Sequence, residues 1–171
     1  KAVEEARDRM STAIKLTGFK SPKSHNHKVV ISLAPADIKK EGTVFDLPMA
    51  LAYLLAAEEI DFDPAKTIFM GELGLDGSLR PVKGALAAAL TAKKLKFTTL
   101  IVPQENASEA ALVEGVKVYG AESLRAVVDH VMGDKKITVA KAPHFATYAR
   151  TDPLIDLRDI KGQETAKRGI E

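Results

Sequence analysis

Cysteine is absent from the 171 residues, so neither a disulfide framework nor a thiolate metal site can form. No apolar run approaches the ~20 residues needed to cross a bilayer, and no leader pattern opens the chain; a cytoplasmic location without a membrane partner is the expectation. A charge excess is also missing, because 25 lysines and arginines stand against 23 acidic residues for a formal net charge of +2. Counterion release on nucleic acid needs a concentrated basic face, so this average identifies no polyanionic partner. The pattern G-x-x-x-x-G-K-S/T does not occur, which removes the backbone cradle, the lysine and the magnesium-holding hydroxyl of a nucleotide-phosphate loop. What remains is 46% hydrophobic and 28% charged residues, enough for one sizeable core under a solvated surface.

Strand and helix patterns alternate along the chain. Val3, Ala6, Met10, Ala13 and Ile14 recur at helical spacing, and Gly18 supplies a stop, which predicts a helix over Lys1–Leu16. Ser21–Ser24 reads as a loop, and the β-branched run Lys28–Leu33 as a strand. An alanine- and leucine-rich helix is expected from Leu47 to about Glu59, and another over Gly84–Lys94 with Lys93, Lys94 and Lys96 at its carboxyl end, where cations complement the dipole. Thr98–Val102 reads as a buried strand, followed by a short helix near Asn106–Val113, a strand at Val116–Tyr119 and a helix from Ser123 to Met132 stopped by Gly133. This order implies at least one parallel strand pair with helical crossovers.

Two blocks stand out, Glu41-Gly-Thr-Val-Phe-Asp-Leu-Pro-Met-Ala-Leu51 and Gly71-Glu-Leu-Gly-Leu-Asp-Gly-Ser-Leu-Arg-Pro-Val-Lys-Gly84. In the first, Asp46 precedes an apolar helical stretch, where its carboxylate is expected to cap free amides with Pro48 in the first turn. In the second, an apolar run from Thr67 to Leu75 meets Asp76-Gly77 and resumes over Leu79–Val82, the pattern of a hairpin in which Asp and Gly accept a left-handed backbone.

These blocks resemble the Lon-protease-like domain, a relative of the ribosomal protein S5 second-domain fold, and above all the amino-terminal domain of the ComM/YifB family of magnesium chelatase-like AAA+ proteins. The resemblance covers about Lys1 to Gly133. It rests on Ser32-Leu-Ala-Pro-Ala-Asp-Ile-Lys-Lys-Glu-Gly42, Phe45-Asp-Leu-Pro48 and Gly71-Glu-Leu-Gly-Leu-Asp-Gly77. It implies an α/β (α+β) fold with a mixed sheet and packed helices. Lys1 stands inside an uncapped helix, and family members carry strands before it. The expectation is a domain over 1–133 lacking its first strands, with an open sheet edge or apolar face that brings domain swapping, dimerisation or marginal stability.

Lon-type proteolysis uses a serine nucleophile and a desolvated lysine as its base. By the resemblance, the serine position, two residues after Gly42, is Val44, and the lysine position, two after Gly84, is Leu86. Neither side chain can perform the role, so no catalytic residue is expected. Thr43 with Lys83 is the substitute dyad left open, with residual Ser/Thr-Lys peptidase activity as the corresponding alternative function.

Residues 134–155 read as a linker containing Pro143. Asp156–Arg168 resembles the lead-in of an AAA+ module, in which Ile160, Gly162 and Gln163 would line an adenine pocket; on residues alone this segment is an ordinary amphipathic helix start. The chain itself is expected to need no cofactor, with ATP and Mg2+ belonging to the full-length protein.

His25 and His27 share strand spacing without a nearby third ligand, which reads as an exposed loop pair rather than a metal site. Lys39, Lys40, Lys93, Lys94 and Lys96, with Arg80 and Lys83, form either a solvated face or a surface for DNA phosphates. For the whole protein the resemblance implies a hexameric, ATP-driven DNA branch-migration helicase acting in recombination and natural transformation, with this domain serving ring assembly or DNA guidance. An accessory domain of a metal chelatase is the further alternative.

Overall fold

Four consecutive apolar residues, Leu100 to Pro103, are buried in strand β4 (Thr99–Pro103), as expected of a strand covered on both faces. The computed structural model describes residues 2–22, 29–33, 42–143 and 159–169. Two strands flank β4 in parallel. On one side β1 (Thr67–Phe69) places Thr67 beside Thr99 and Phe69 beside Ile101. On the other, β5 (Lys117–Ala121) places Lys117 beside Thr99 and Tyr119 beside Ile101. The sheet order is β1-β4-β5.

Alternation sends the side chains of β4 into two cores. Leu100, Val102 and Val118 meet Ala85, Ala89 and Ala92 of α3 (Ala85–Lys94) and Ala107 and Ala110 of α4 (Ala107–Ala110). The alanines let both helices approach the sheet closely. Gly120 serves the same end, because a Cβ there would stand 2.5 Å from Gln104 Oε1 and 2.7 Å from the Ala107 Cβ. Ile101 and Ala121 face the second core, with Met10, Ala13 and Ile14 of α1 (Ala2–Leu16), Leu47, Leu51 and Leu54 of α2 (Asp46–Ala56) and Leu124, Val127 and Val128 of α5 (Leu124–Met132). The Ser123 hydroxyl accepts the Ala126 N–H at 3.2 Å and caps α5, and Gly133 closes it in the left-handed region.

The run expected as one strand from Thr67 to Leu75 is divided. After β1 the chain bends at Met70–Gly71, and β2 (Glu72–Leu73) pairs antiparallel with β3 (Leu79–Arg80) in a separate two-stranded sheet. The backbone of Gly71 explains the break. Its N–H donates to the Val44 carbonyl at 3.0 Å and its C=O accepts the Leu47 N–H at 3.1 Å, so it is tied to the entry of α2 rather than to a ladder. The predicted hairpin lies between β2 and β3. Gly77 N–H donates to the Gly74 carbonyl and Gly74 N–H to the Ser78 carbonyl, with Gly77 at φ +83°. Gly77 alone takes the left-handed conformation; Asp76 instead accepts the Ser78 N–H and hydroxyl.

The strand expected over Lys28–Leu33 is not formed in its described part, residues 29–33, where Val30 is 75% exposed. β-branched residues favour extended chain, but a strand also needs a neighbouring edge, and none of β1 to β5 pairs with this segment. Beyond α5, the first part of the stretch read as a linker docks on the sheet: Ile137 packs on the second core and Ala140 N–H donates to the Val118 carbonyl at 2.8 Å. A short helix, α6 (Glu164–Arg168), follows in the last described segment. Among the described residues no helix is long and apolar enough to cross a membrane.

Candidate functional site

The segment Thr43–Asp46 meets the β2–β3 hairpin where the resemblance places catalysis. Asp46 does not cap α2, as expected from its position before the apolar stretch. It stands inside the first turn, and the cap position is Phe45, without a side-chain cap bond. Its carboxylate is 1% exposed and accepts the Arg9 Nε at 2.8 Å, the Arg9 Nη2 at 3.2 Å and the Leu73 N–H at 3.3 Å. A buried carboxylate without such partners would be strongly disfavoured, so burial directs Asp46 to an arginine rather than to its own helix. The pair joins α1, α2 and the hairpin. The hydrogen bond to Asp46 raises the Arg9 pKa above its ordinary value, against the opposing effect of burial.

A second set of charges flanks this strut. The Thr43 hydroxyl donates to Glu72 Oε2, and Arg80 Nη1 lies 3.7 Å from Glu72 Oε1. The group placed to take up the Thr43 proton is therefore a carboxylate and not Lys83, which is exposed on the approach to α3. Val44 is half-buried and packs on the α3–α4 core, while Leu86 points outward, 39% exposed. Of the Thr43–Lys83 pair left open by spacing, Thr43 is hydrogen-bonded to Glu72 and Lys83 is exposed. Neither Val44 nor Leu86 offers a nucleophile or a base, and the arrangement they flank is a hydrogen-bonded ionic framework.

Among the described residues the basic side chains stand at separate places. Lys93, Lys94 and Lys96 are exposed at the carboxyl end of α3, whereas Lys83 precedes its amino end. The ten residues of α3, about 15 Å of helix at 1.5 Å per residue, separate Lys83 before its start from Lys94 at its end. Arg80 is engaged with Glu72. Lys39 and Lys40, like His25 and His27, lie outside the described residues. Ile160 and Gly162 are exposed, and Gln163 takes φ +59° at the start of α6.

The Arg9–Asp46 strut was missed in the sequence, although one signal was present. Arg9 lies three residues after Ala6 and four before Ala13, on the apolar stripe of α1. A charge on that stripe calls for a buried partner.

A Lon-like α/β domain is the class that this fold defines, with Val44 and Leu86 at the positions that the resemblance assigns to nucleophile and base. The family described as subunit ChlI of Mg-chelatase matches residues 1–106. The competence protein ComM of Haemophilus influenzae is 39% identical over 173 residues, covering 99% of this chain and 33% of that protein. YifB of Salmonella typhimurium is 38% identical over 170 residues, with 99% and 32% covered. The DNA repair protein RadA of Mycolicibacterium smegmatis is 32% identical over 140 residues, with 82% and 28% covered. The chain belongs to the magnesium chelatase-like ComM/YifB family. It spans about a third of the length of these ComM and YifB relatives.

Proposed function

We propose that this chain is a non-proteolytic Lon-like module of an ATP-driven DNA-remodelling protein, and that it guides DNA or assembles the ring rather than cutting peptides. The observation that carries this reading is the chemistry at the two protease positions. Val44 and Leu86 occupy them, and the neighbouring hydroxyl of Thr43 is bound to Glu72. A fold that retains its framework there while lacking nucleophile and base is suited to binding and assembly.

The names of the relatives supply the process. One is a competence protein and another a DNA repair protein, which supports action on DNA during recombination, with branch migration by a hexameric motor as the whole-protein activity. ATP and Mg2+ would be held by a phosphate loop outside these residues. From this chain only Ile160, Gly162 and Gln163 would face the adenine, through apolar and backbone contacts. The chelatase in the family description concerns kinship, and no residue described above argues for tetrapyrrole chemistry.

The test is binding of single strands, duplex and a four-way junction across a salt series, with size-resolved mass to report association. DNA binding that weakens steeply with salt supports the guiding role. A defined oligomer without DNA binding assigns ring assembly. A monomer that ignores DNA, or peptide cleavage abolished by Thr43→Val, would falsify the proposal.

A further inference from the structure

The sheet face that receives α1, α2 and α5 is left open at the amino-terminal ends of its strands. A cleft of about 240 Å³ lies there. Its floor follows from register: Thr67, Thr99 and Lys117 stand in one row across the three strands, and Phe69, Ile101 and Tyr119 in the row of the same orientation two residues on. Aromatic pairs bound it on both sides. Phe62 meets Phe69 edge to face with ring centroids 5.8 Å apart, and Tyr119 meets His130 at 4.4 Å. Both walls are held in place. Asp61 N–H reaches Met132 Sδ at 3.4 Å, fastening the loop before β1 to the end of α5, and His130 Nδ1 accepts the Ile137 N–H at 3.0 Å.

The chemistry of the cleft is mixed in a specific way. Strands β1 and β5 are two spacings apart, about 10 Å, so the aromatic pairs flank the mouth of the cleft with width for one flat ring, while Ile101 beneath is covered by the core. Two threonine hydroxyls and the Asp63 carboxylate supply donors and acceptors for a heteroaromatic edge. With Nδ1 engaged as an acceptor, the neutral imidazole of His130 carries its proton on Nε2. Lys117, next to Thr99 in strand register though outside the cleft lining, is exposed, and the charge of Lys136 acts on His130. An aromatic side chain of a protein partner would use the rings but not the cations. A base with a phosphate attached would use both.

We propose that this cleft takes one unpaired base of a single-stranded nucleic acid, stacked against Tyr119 and His130 with its phosphate beside Lys117. The inference rests on the DNA-guiding reading and moves contact away from the α3 lysines to the opposite face of the sheet. Sheet surfaces with aromatic rings and flanking cations hold single strands in this manner, and stacking tolerates any base.

The test uses the whole chain and a fluorescent oligothymidylate at low salt, with a second strand carrying 5-iodouracil for photocrosslinking. Tyr119→Leu is expected to weaken binding roughly tenfold, Thr99→Val and Lys117→Gln less, and the crosslink is expected on Tyr119 or His130. Thermal unfolding of each variant separates loss of binding from loss of fold; Thr99→Val, nearly isosteric, keeps the test open if Tyr119→Leu unfolds. Oligonucleotide binding undiminished in folded cleft variants, with crosslinks elsewhere, overturns the cleft while leaving the DNA-guiding reading intact. Binding of thymidine monophosphate without binding of any strand overturns the strand assignment. Absence of all DNA binding by the native chain removes both.

Discussion

The two faces of the central sheet are built differently. Toward α3 and α4 the contact is made largely of alanine, valine and one close-packed glycine, with Leu100, Val102 and Val118 fully covered. Toward α1, α2 and α5 the residues are larger, a buried carboxylate and an arginine bridge three elements, and the far end opens into a cleft lined by rings and hydroxyls. The first face is held by volume, since close packing leaves no room for a further methyl group. The second is held partly by charge and hydrogen bonds, which are directional and specify which elements meet. The buried ion pair and the open cleft belong to this second face, whereas the positions that the resemblance assigns to the Lon-type dyad belong to the first: Val44 packs on the α3–α4 core and Leu86 stands on α3.

The largest expected effect comes from breaking the polar face. Asp46→Ala leaves the Arg9 guanidinium, only 18% exposed, and the Leu73 N–H without their acceptor. Removal of one partner from such a pair is expected to cost about 3 kcal/mol, read as a lowered urea midpoint with unchanged slope. Replacing both partners with apolar residues, Arg9→Met with Asp46→Leu, should recover much of that loss. A double variant no more stable than Asp46→Ala would show that the strut does more than satisfy its own charges.

On the packed face, Gly120→Ala forces a methyl group against Gln104 and Ala107 and is expected to cost about 2 kcal/mol. Urea unfolding checks it, and a neutral result would contradict the close approach of α4 to β5.

The smallest effect tests the open end. Burial, with help from Lys136, lowers the His130 pKa below its ordinary value. The unfolded chain therefore binds this proton more readily than the folded one. Stability from this group is present above the unfolded value near 6.5 and is lost as pH falls below it through the folded pKa. Urea midpoints taken from pH 7.5 to 5.5 should decline, and His130→Gln should flatten the part of the slope due to this ring; an unaltered slope would remove His130 as a contributor.

Much of the secondary structure was legible along the chain. The apolar spacing of α1, the alanine stripe of α3, the Asp76-Gly77 hairpin and the Ser123 and Gly133 ends of α5 all appear where spacing and turn chemistry place them. The run from Thr67 to Leu75 was misread because period-two alternation does not report the change of partner at Gly71. Residues 29–33 were misread for the related reason that β-branched composition favours extended chain without supplying a neighbour. At the candidate site, Val44 and Leu86 could be proposed for the dyad positions from the motif resemblance alone, since absence of a functional group needs no geometry. The role of Asp46 could not, because an acidic residue before an apolar helix has the same local signature whether it caps that helix or pairs with a distant arginine.

Residue order alone settled the helix stripes and the turns, because each depends on side-chain type and spacing over a few positions. Folding in three dimensions settled that Asp46 meets Arg9, 37 positions away, that Thr43 is bound to Glu72, and that threonines and aromatic rings from separate strands share one cleft. Such meetings depend on which elements pack together and in what register, and no local pattern carries that information.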